Sequence, residues 1–419
     1  MKILLFVGLL TLSAVCKSQT GDNVFTYRKA SIYSIMLGHV NLPFNNDIEN
    51  AFKQMPTPKK YNDHNLSKRV FYANDDKIKI KDLDKHAGFV VNSSSDKSKM
   101  NDMDLFLQQS SIASRMLAKW FNKDKNTGMC NMQLIQERGY NSASEFNKRL
   151  ANLTTRKEAL LMDAGEELVG STFVLINDIR YVDQGKVVGL IGDAASVAIN
   201  TYNLVKDGED TSEETNLGDL VATYKGFNVK INTYLYQLVW DEEAQGIFYN
   251  EVYTETPDES KKAYFEKHRG DFSLVYLGEQ ESSGKDVSFI GINENEPKVM
   301  VLKACQRAFD ENVANLQKNF DVFKIKAPLI STEPITCEIG LKEGVTPDSK
   351  FEVLEVGEDE KGHVEYKRKG TIKPVKGKIW DNRFMAKEEG AENSDLGFTT
   401  FTKVSGGDFY PGLLVRELK

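Results

Sequence analysis

The sequence predicts an α+β fold: a layered α/β domain with a mixed sheet and flanking helices, followed by a small all-β barrel. Three observations predict it. The strand Phe173–Tyr181 opens with four large apolar residues, Phe173, Val174, Leu175 and Ile176, so both of its faces need cover, as in a central strand. Helix-spaced apolar stripes flank it in the chain, at Asp104–Asn122 and from Pro297 to about Phe320. Beyond Lys326–Glu333 such stripes stop, and short runs separated by Gly, Asp and Pro replace them.

The first residues read as an export signal. Lys2 precedes a mainly apolar run, Ile3–Leu12, too short to span a bilayer, and small residues then allow cleavage after Cys16 or Ser18. Residues 1–18 are therefore expected to leave the mature chain. Lipidation of Cys16 is the alternative, although Val15 is bulkier than the residue such signals carry there. The α+β domain is assigned to 19–325, with an insertion at 184–226, and the barrel to 334–419.

Within the larger domain, Thr26–Leu37 reads as a first strand and Asn46–Met55 as a short helix presenting Ile48, Ala51, Phe52 and Met55 on one side. Pro56 to Met100 is polar and lysine-rich, a loop with one or two short strands. Asp104–Asn122 reads as one long helix, Cys130–Ile135 as a strand, and Asn141-Ser142 as the cap of a helix running to Leu153. A helix with Leu160, Ala164 and Leu168 on one stripe precedes the central strand. Phe227–Asp241 alternates over a long strand, and DEEAQG is expected to turn it into Ile247–Thr254 as a hairpin. A short strand at Phe272–Leu277 and the helix from Pro297 follow. The tail strands are expected at Ile335–Leu341, Lys350–Val356, Val364–Val375 and Gly412–Leu418.

Composition excludes several functions. The chain is 40% hydrophobic and 27% charged, which is globular. A formal charge of −7, with both signs spread along the chain, predicts no nucleic-acid surface. The histidines His39, His64, His86, His268 and His363 stand far apart, and no C-x-x-C or H-x-x-x-H occurs, so no metal site or cofactor is expected. Phosphate-loop, nucleophile-elbow and dinucleotide motifs are missing from the sequence as well. Cys130, Cys305 and Cys337 are too few and scattered for a disulfide framework; small core residues are the expectation, with one bridge as the alternative.

Three groups remain as candidate sites. Asp178 and Asp183 flank Arg180 at the end of the central strand, either as an acid pair or as a structural ion pair. Tyr234, Tyr236 and Trp240 share a strand face and suit a sugar or peptide, or else the core. The insertion carries Val187–Val205, a helix pattern with a narrow polar stripe (Asp193, Ser196, Asn200, Asn203) and a wide apolar face that includes Val188, Ile191, Ala195, Ala198, Tyr202 and Val205. That face either packs on the domain's own sheet or docks on a partner. The acidic DGEDTSEETN behind it favours a protein partner over an anionic membrane, with peripheral membrane association as the alternative.

The segments IASRMLAKWF, MCNMQLIQERG, LLMDAGEELVGSTFVLINDI and VKINTYLYQLVWDEEAQGIFYNEV occur in an order that resembles the periplasmic α/β domain of the curli-secretion-channel and penicillin-binding-protein-activator lipoprotein families. The tail EGVTPDSKFEVLEV, with GTIKPV, is similar to small β-barrels that accompany such modules in flagellar-assembly envelope proteins. The resemblance implies a non-enzymatic assembly or adaptor protein in the periplasm or at the outer membrane of a Gram-negative bacterium, acting on an envelope protein partner. It carries over no catalytic residue. The alternatives are an exported hydrolase with a site assembled from distant residues, discriminated by a deep pocket of converging acids or histidines, and a glycan- or peptide-binding accessory.

Overall fold

The computed structural model describes residues 30–39, 42, 44–67, 69–74, 90–92, 96–142, 166–182, 224–289, 297–358 and 364–418. Seven strands form one sheet: β1 (Ala30–Gly38), β2 (Tyr61–Asp63), β3 (Val70–Asn74), β4 (Val90–Asn92), β5 (Thr172–Tyr181), β6 (Tyr224–Leu238) and β7 (Leu274–Phe289). Their order is β4-β3-β1-β5-β6-β7, with β2 also paired to β1. β1 runs parallel to β2, β3 and β5, whereas β5–β6 and β6–β7 are antiparallel, so the sheet is mixed.

Helices cover both faces: α1 (Asn45–Gln54), α2 (Asp96–Gln109), α3 (Ile112–Trp120), α4 (Gln133–Ser142), α5 (Glu242–Ile247), α6 (Glu259–Lys267) and α7 (Pro297–Asn319). One core joins α1 and α7 to the sheet through Phe52, Phe173, Leu175, Val229 and Phe309. The other joins α2, α3 and α4 to it through Phe106, Trp120, Ile135, Val174, Ile176 and Tyr236. β5 divides its side chains between the two: Phe173 and Leu175 enter one, Val174 and Ile176 the other, all fully buried. The four apolar residues that open this strand thus do what their run predicts. Each contributes roughly 1.5–3 kcal/mol of burial.

Several boundaries differ from the sequence reading. The helix expected at Asp104–Asn122 is two helices, α2 and α3, because Ser111 takes a left-handed conformation between them (φ 50°) and serine is a weak helix former. The strand expected at Cys130–Ile135 is instead the approach to α4. There the Asn131 side chain accepts from the Gln133 amide at 3.1 Å, and Met132 and Ile135 bury at helical spacing. Asn141 and Ser142 belong to α4, and the rest of the helix expected to run to Leu153 lies outside the described residues. The largest correction concerns DEEAQG. Asp241 caps α5 by accepting from the Ala244 amide at 2.9 Å, Glu242 and Glu243 suit the positive helix start, and a π-helical turn continues through Phe248–Val252. The strand that pairs antiparallel with β6 on the side away from β5 is therefore β7, which runs well past the expected Leu277.

After α7 the chain forms six further strands: β8 (Ala327–Thr332), β9 (Ile335–Cys337), β10 (Phe351–Glu358), β11 (Val364–Pro374), β12 (Thr399–Gly406) and β13 (Leu414–Glu417). They pair antiparallel in the order β10-β11-β12-β9-β8-β13, and β13 returns to β10, closing the ring. Leu329, Cys337, Val353, Ile372, Phe401 and Val415 fill it. β9 stops at Cys337, four residues short of expectation, and β8 and β12 are additional. Helix α7 meets this unit through ion pairs: Lys303 and Arg307 reach Glu389 at 2.5 and 2.6 Å, and Asp310 reaches Lys342 at 3.0 Å.

Candidate functional site

The acid pair read from the sequence resolves into a buried clamp. Leu37 and Asp178 are register neighbours on parallel strands, which brings His39, just past β1, to Asp178. His39 Nε2 lies 2.6 Å from Asp178 Oδ1, and Arg180 donates to both carboxylate oxygens at 2.9 Å. Burial opposes ionisation of Asp178, but the bonds from His39 and Arg180 outweigh it and hold the carboxyl well below its usual range. His39 and Asp178 are enclosed, and Arg180 is 42% exposed. A carboxylate already committed to two donors and closed to solvent is built to tie β1 to β5. Asp183 and the whole helix pattern Val187–Val205 lie outside the described residues.

A second enclosed group links the sheet to α7. Asn177 donates to Ser34 at 2.9 Å and accepts from Thr233 at 2.8 Å, and Asn312 of α7 donates to Thr233 at 2.7 Å. These bonds satisfy amides and hydroxyls that would otherwise be costly in a core. His64 is similarly enclosed, its ring against Trp120 and its nitrogens engaged by Arg138 and the Met116 carbonyl. Burial, then the neighbouring Arg138, pushes its pKa down.

The stripe Tyr234, Tyr236 and Trp240 divides. Tyr234 and Tyr236 are buried in the core under α2 and α3, and the half-buried Trp240 packs on Phe121 and Phe248 at 5.8 and 5.6 Å. As a three-residue exposed platform the stripe does not exist. Tyr236, however, forms the floor of an open groove of about 570 Å³ between the α2–α3 junction and the start of β7. Leu107, Ile112, Phe272 and Leu274 line its apolar part. Tyr276 stands across from Tyr236 in register, ring centroids 5.3 Å apart, and is 38% exposed beside Val275 at 45%. Asp104 reaches over from α2 and accepts the Tyr236 hydroxyl at 2.8 Å. Glu279, opposite Tyr234 and beyond the register shift, accepts from the Asn232 side-chain amide at 3.1 Å.

β7 ends the sheet order, and its only strand partner among the described residues is β6. The groove therefore combines an apolar wall, two tyrosine rings, the Asp104 carboxylate and an open strand edge, and Glu279 stands further along the same sheet face. Asp104, Leu274, Tyr276 and Glu279 were not singled out from sequence. Alternation in LVYLGE was the available signal, and the misassigned hairpin hid which strand it paired with. No protein-family model matches the chain, and no curated protein matches it.

Among the described residues no cluster of three or more His, Cys, Asp or Glu is placed to hold a metal ion. No helix there is long and apolar enough to cross a membrane. Cys130, Cys305 and Cys337 are buried and free, with burial pushing the Cys305 and Cys337 thiols up to about 12.

Proposed function

We propose that the protein is a non-enzymatic binding and assembly protein of the cell envelope, acting through protein–protein contacts at the β7 groove. The observation that carries this reading is an open sheet edge whose exposed Tyr276 stands beside an apolar-walled groove, with Val275 exposed on the other face of the same edge. Large apolar side chains grouped beside a cleft mark interaction surfaces. The hydrolase alternative needs acids or histidines converging on an accessible cavity, whereas His39, His64 and Asp178 are enclosed by their own partners. The glycan alternative needs a solvent-facing aromatic platform, and Tyr234 and Tyr236 are core residues.

Export is supported by the leading residues Met1–Ser18, and an envelope role by the sequence segments from IASRMLAKWF to VKINTYLYQLVWDEEAQGIFYNEV, which resemble the curli-channel and penicillin-binding-protein-activator families. The test is a benzophenone amino acid placed at position 275 and, as a control, at the exposed position 242, followed by irradiation of living cells. The expected result is a protein adduct from position 275 alone, recovered in the envelope fraction. Adducts equal at both positions, or none from position 275, overturn the proposal.

A further inference from the structure

Building on that reading, we propose that the β7 edge at Leu274–Tyr276 accepts an extended segment of the partner as an added strand, with a Lys or Arg of that segment held by Tyr276, Asp104 and Glu279. Backbone geometry carries the first half. The Val239 amide donates to the Ser273 carbonyl at 3.1 Å, and Leu238 stands opposite Leu274. Antiparallel ladders alternate, so Ser273 and Val275 direct their main-chain groups toward β6, while Leu274 and Tyr276 direct theirs outward. These outward groups match the spacing of an extended chain, the arrangement by which peptides extend an open sheet. A register shift follows Tyr276, which limits the regular edge to a few residues and the added strand to a short segment.

Charge and ring chemistry carry the second half. Asp104 and Glu279 flank the Tyr236–Tyr276 pair, and neither has a cationic partner among the described residues. Burial, then Glu279 and the other nearby groups including Asp104, push the Tyr276 hydroxyl up to about 12, so the tyrosine stays neutral and the charge of the site is that of the carboxylates. An ammonium or guanidinium on the exposed Tyr276 face gains from the ring quadrupole and from both carboxylates. An acidic side chain in the same place meets repulsion, so the site discriminates as well as attracts.

The test uses the full chain and two fluorescein-labelled seven-residue peptides, one alternating valine with lysine and one alternating valine with glutamate, read by fluorescence anisotropy at low salt. Binding of the lysine peptide at least tenfold tighter than the glutamate peptide is expected. Asp104→Asn with Glu279→Gln should remove most of that preference, and these exposed, near-isosteric changes leave the core intact. Strand addition is read on the ligand itself. N-methylating alternate amides of the lysine peptide should abolish binding in one phase and spare it in the other, because only one set of amides faces β7. Equal binding of the two charge types, indifference to both methylation phases, or no saturable binding overturns the inference. An adduct from position 275 alongside any of these results rejects the basic-strand mode and leaves the assembly role standing. Loss of that adduct instead rejects the assembly role.

Discussion

Replacing Asp178 with Asn keeps the shape of the side chain and removes its charge from the clamp on His39 and Arg180. Two contacts then weaken unequally. Arg180 is 42% exposed, so solvent screens its share to roughly 1 kcal/mol or less. The contact with His39 is enclosed, and a buried hydrogen bond to a charged group is worth about 1.5–3 kcal/mol. Together these give an expected loss of about 2–4 kcal/mol at neutral pH. The acid dependence has a definite sign. Because the folded carboxyl is held below its unfolded value, its stabilisation is fully present above about pH 4 and fades as pH falls toward the folded value. Asp178→Asn lacks that titration. Thermal melts followed by tryptophan fluorescence at pH 7, 5 and 3 should therefore show a gap that is wide at pH 7 and 5 and narrower at pH 3. Equal melting temperatures at pH 7, or a gap that widens in acid, would refute the account of the clamp.

Gly284→Ala should lower the melting temperature markedly. The added Cβ falls 2.0 Å from the Ala304 carbonyl oxygen and 2.6 Å from the Ala308 amide, main-chain atoms of α7, so the helix must lift off β7; an unchanged melt would contradict that packing. Asp310→Asn should have the opposite sign. Burial, against Lys342 and Gln306, raises the Asp310 carboxyl, so its folded state loses stability as pH rises through that value. The variant should melt above the parent at pH 8 and beside it at pH 4, and a lower melt at pH 8 would show that Lys342 compensates fully. A fragment spanning 326–419 should fold with β-type circular dichroism, whereas 334–419, the boundary read from sequence, should not. The shorter piece lacks β8, which closes the ring between β9 and β13; equal folding of both would make that closure dispensable.

The sequence by itself determined the elements whose signal is local. Helix α7 was legible from Pro297 and its stripe, α1 from Ile48, Ala51 and Phe52, and β5 from its doubly apolar start, because periodicity and capping act within a few residues. The switch to short strands near Lys326 was visible for the same reason. Where two local readings competed, the sequence left them open to error. DEEAQG serves equally as a turn or as a helix start, and only the packing of Phe248 and Val252 into the core selects the helix. The tertiary structure alone decided which strand stands at the sheet edge, since edge position depends on the pairing of β6 with a segment dozens of residues away. It alone brought His39 to Asp178 across 139 residues, and Asp104 of α2 to Tyr236 across 132. Side-chain chemistry was readable along the chain. Whether a carboxylate is closed into a clamp or left facing an open groove depends on distant neighbours, and no local pattern encodes them.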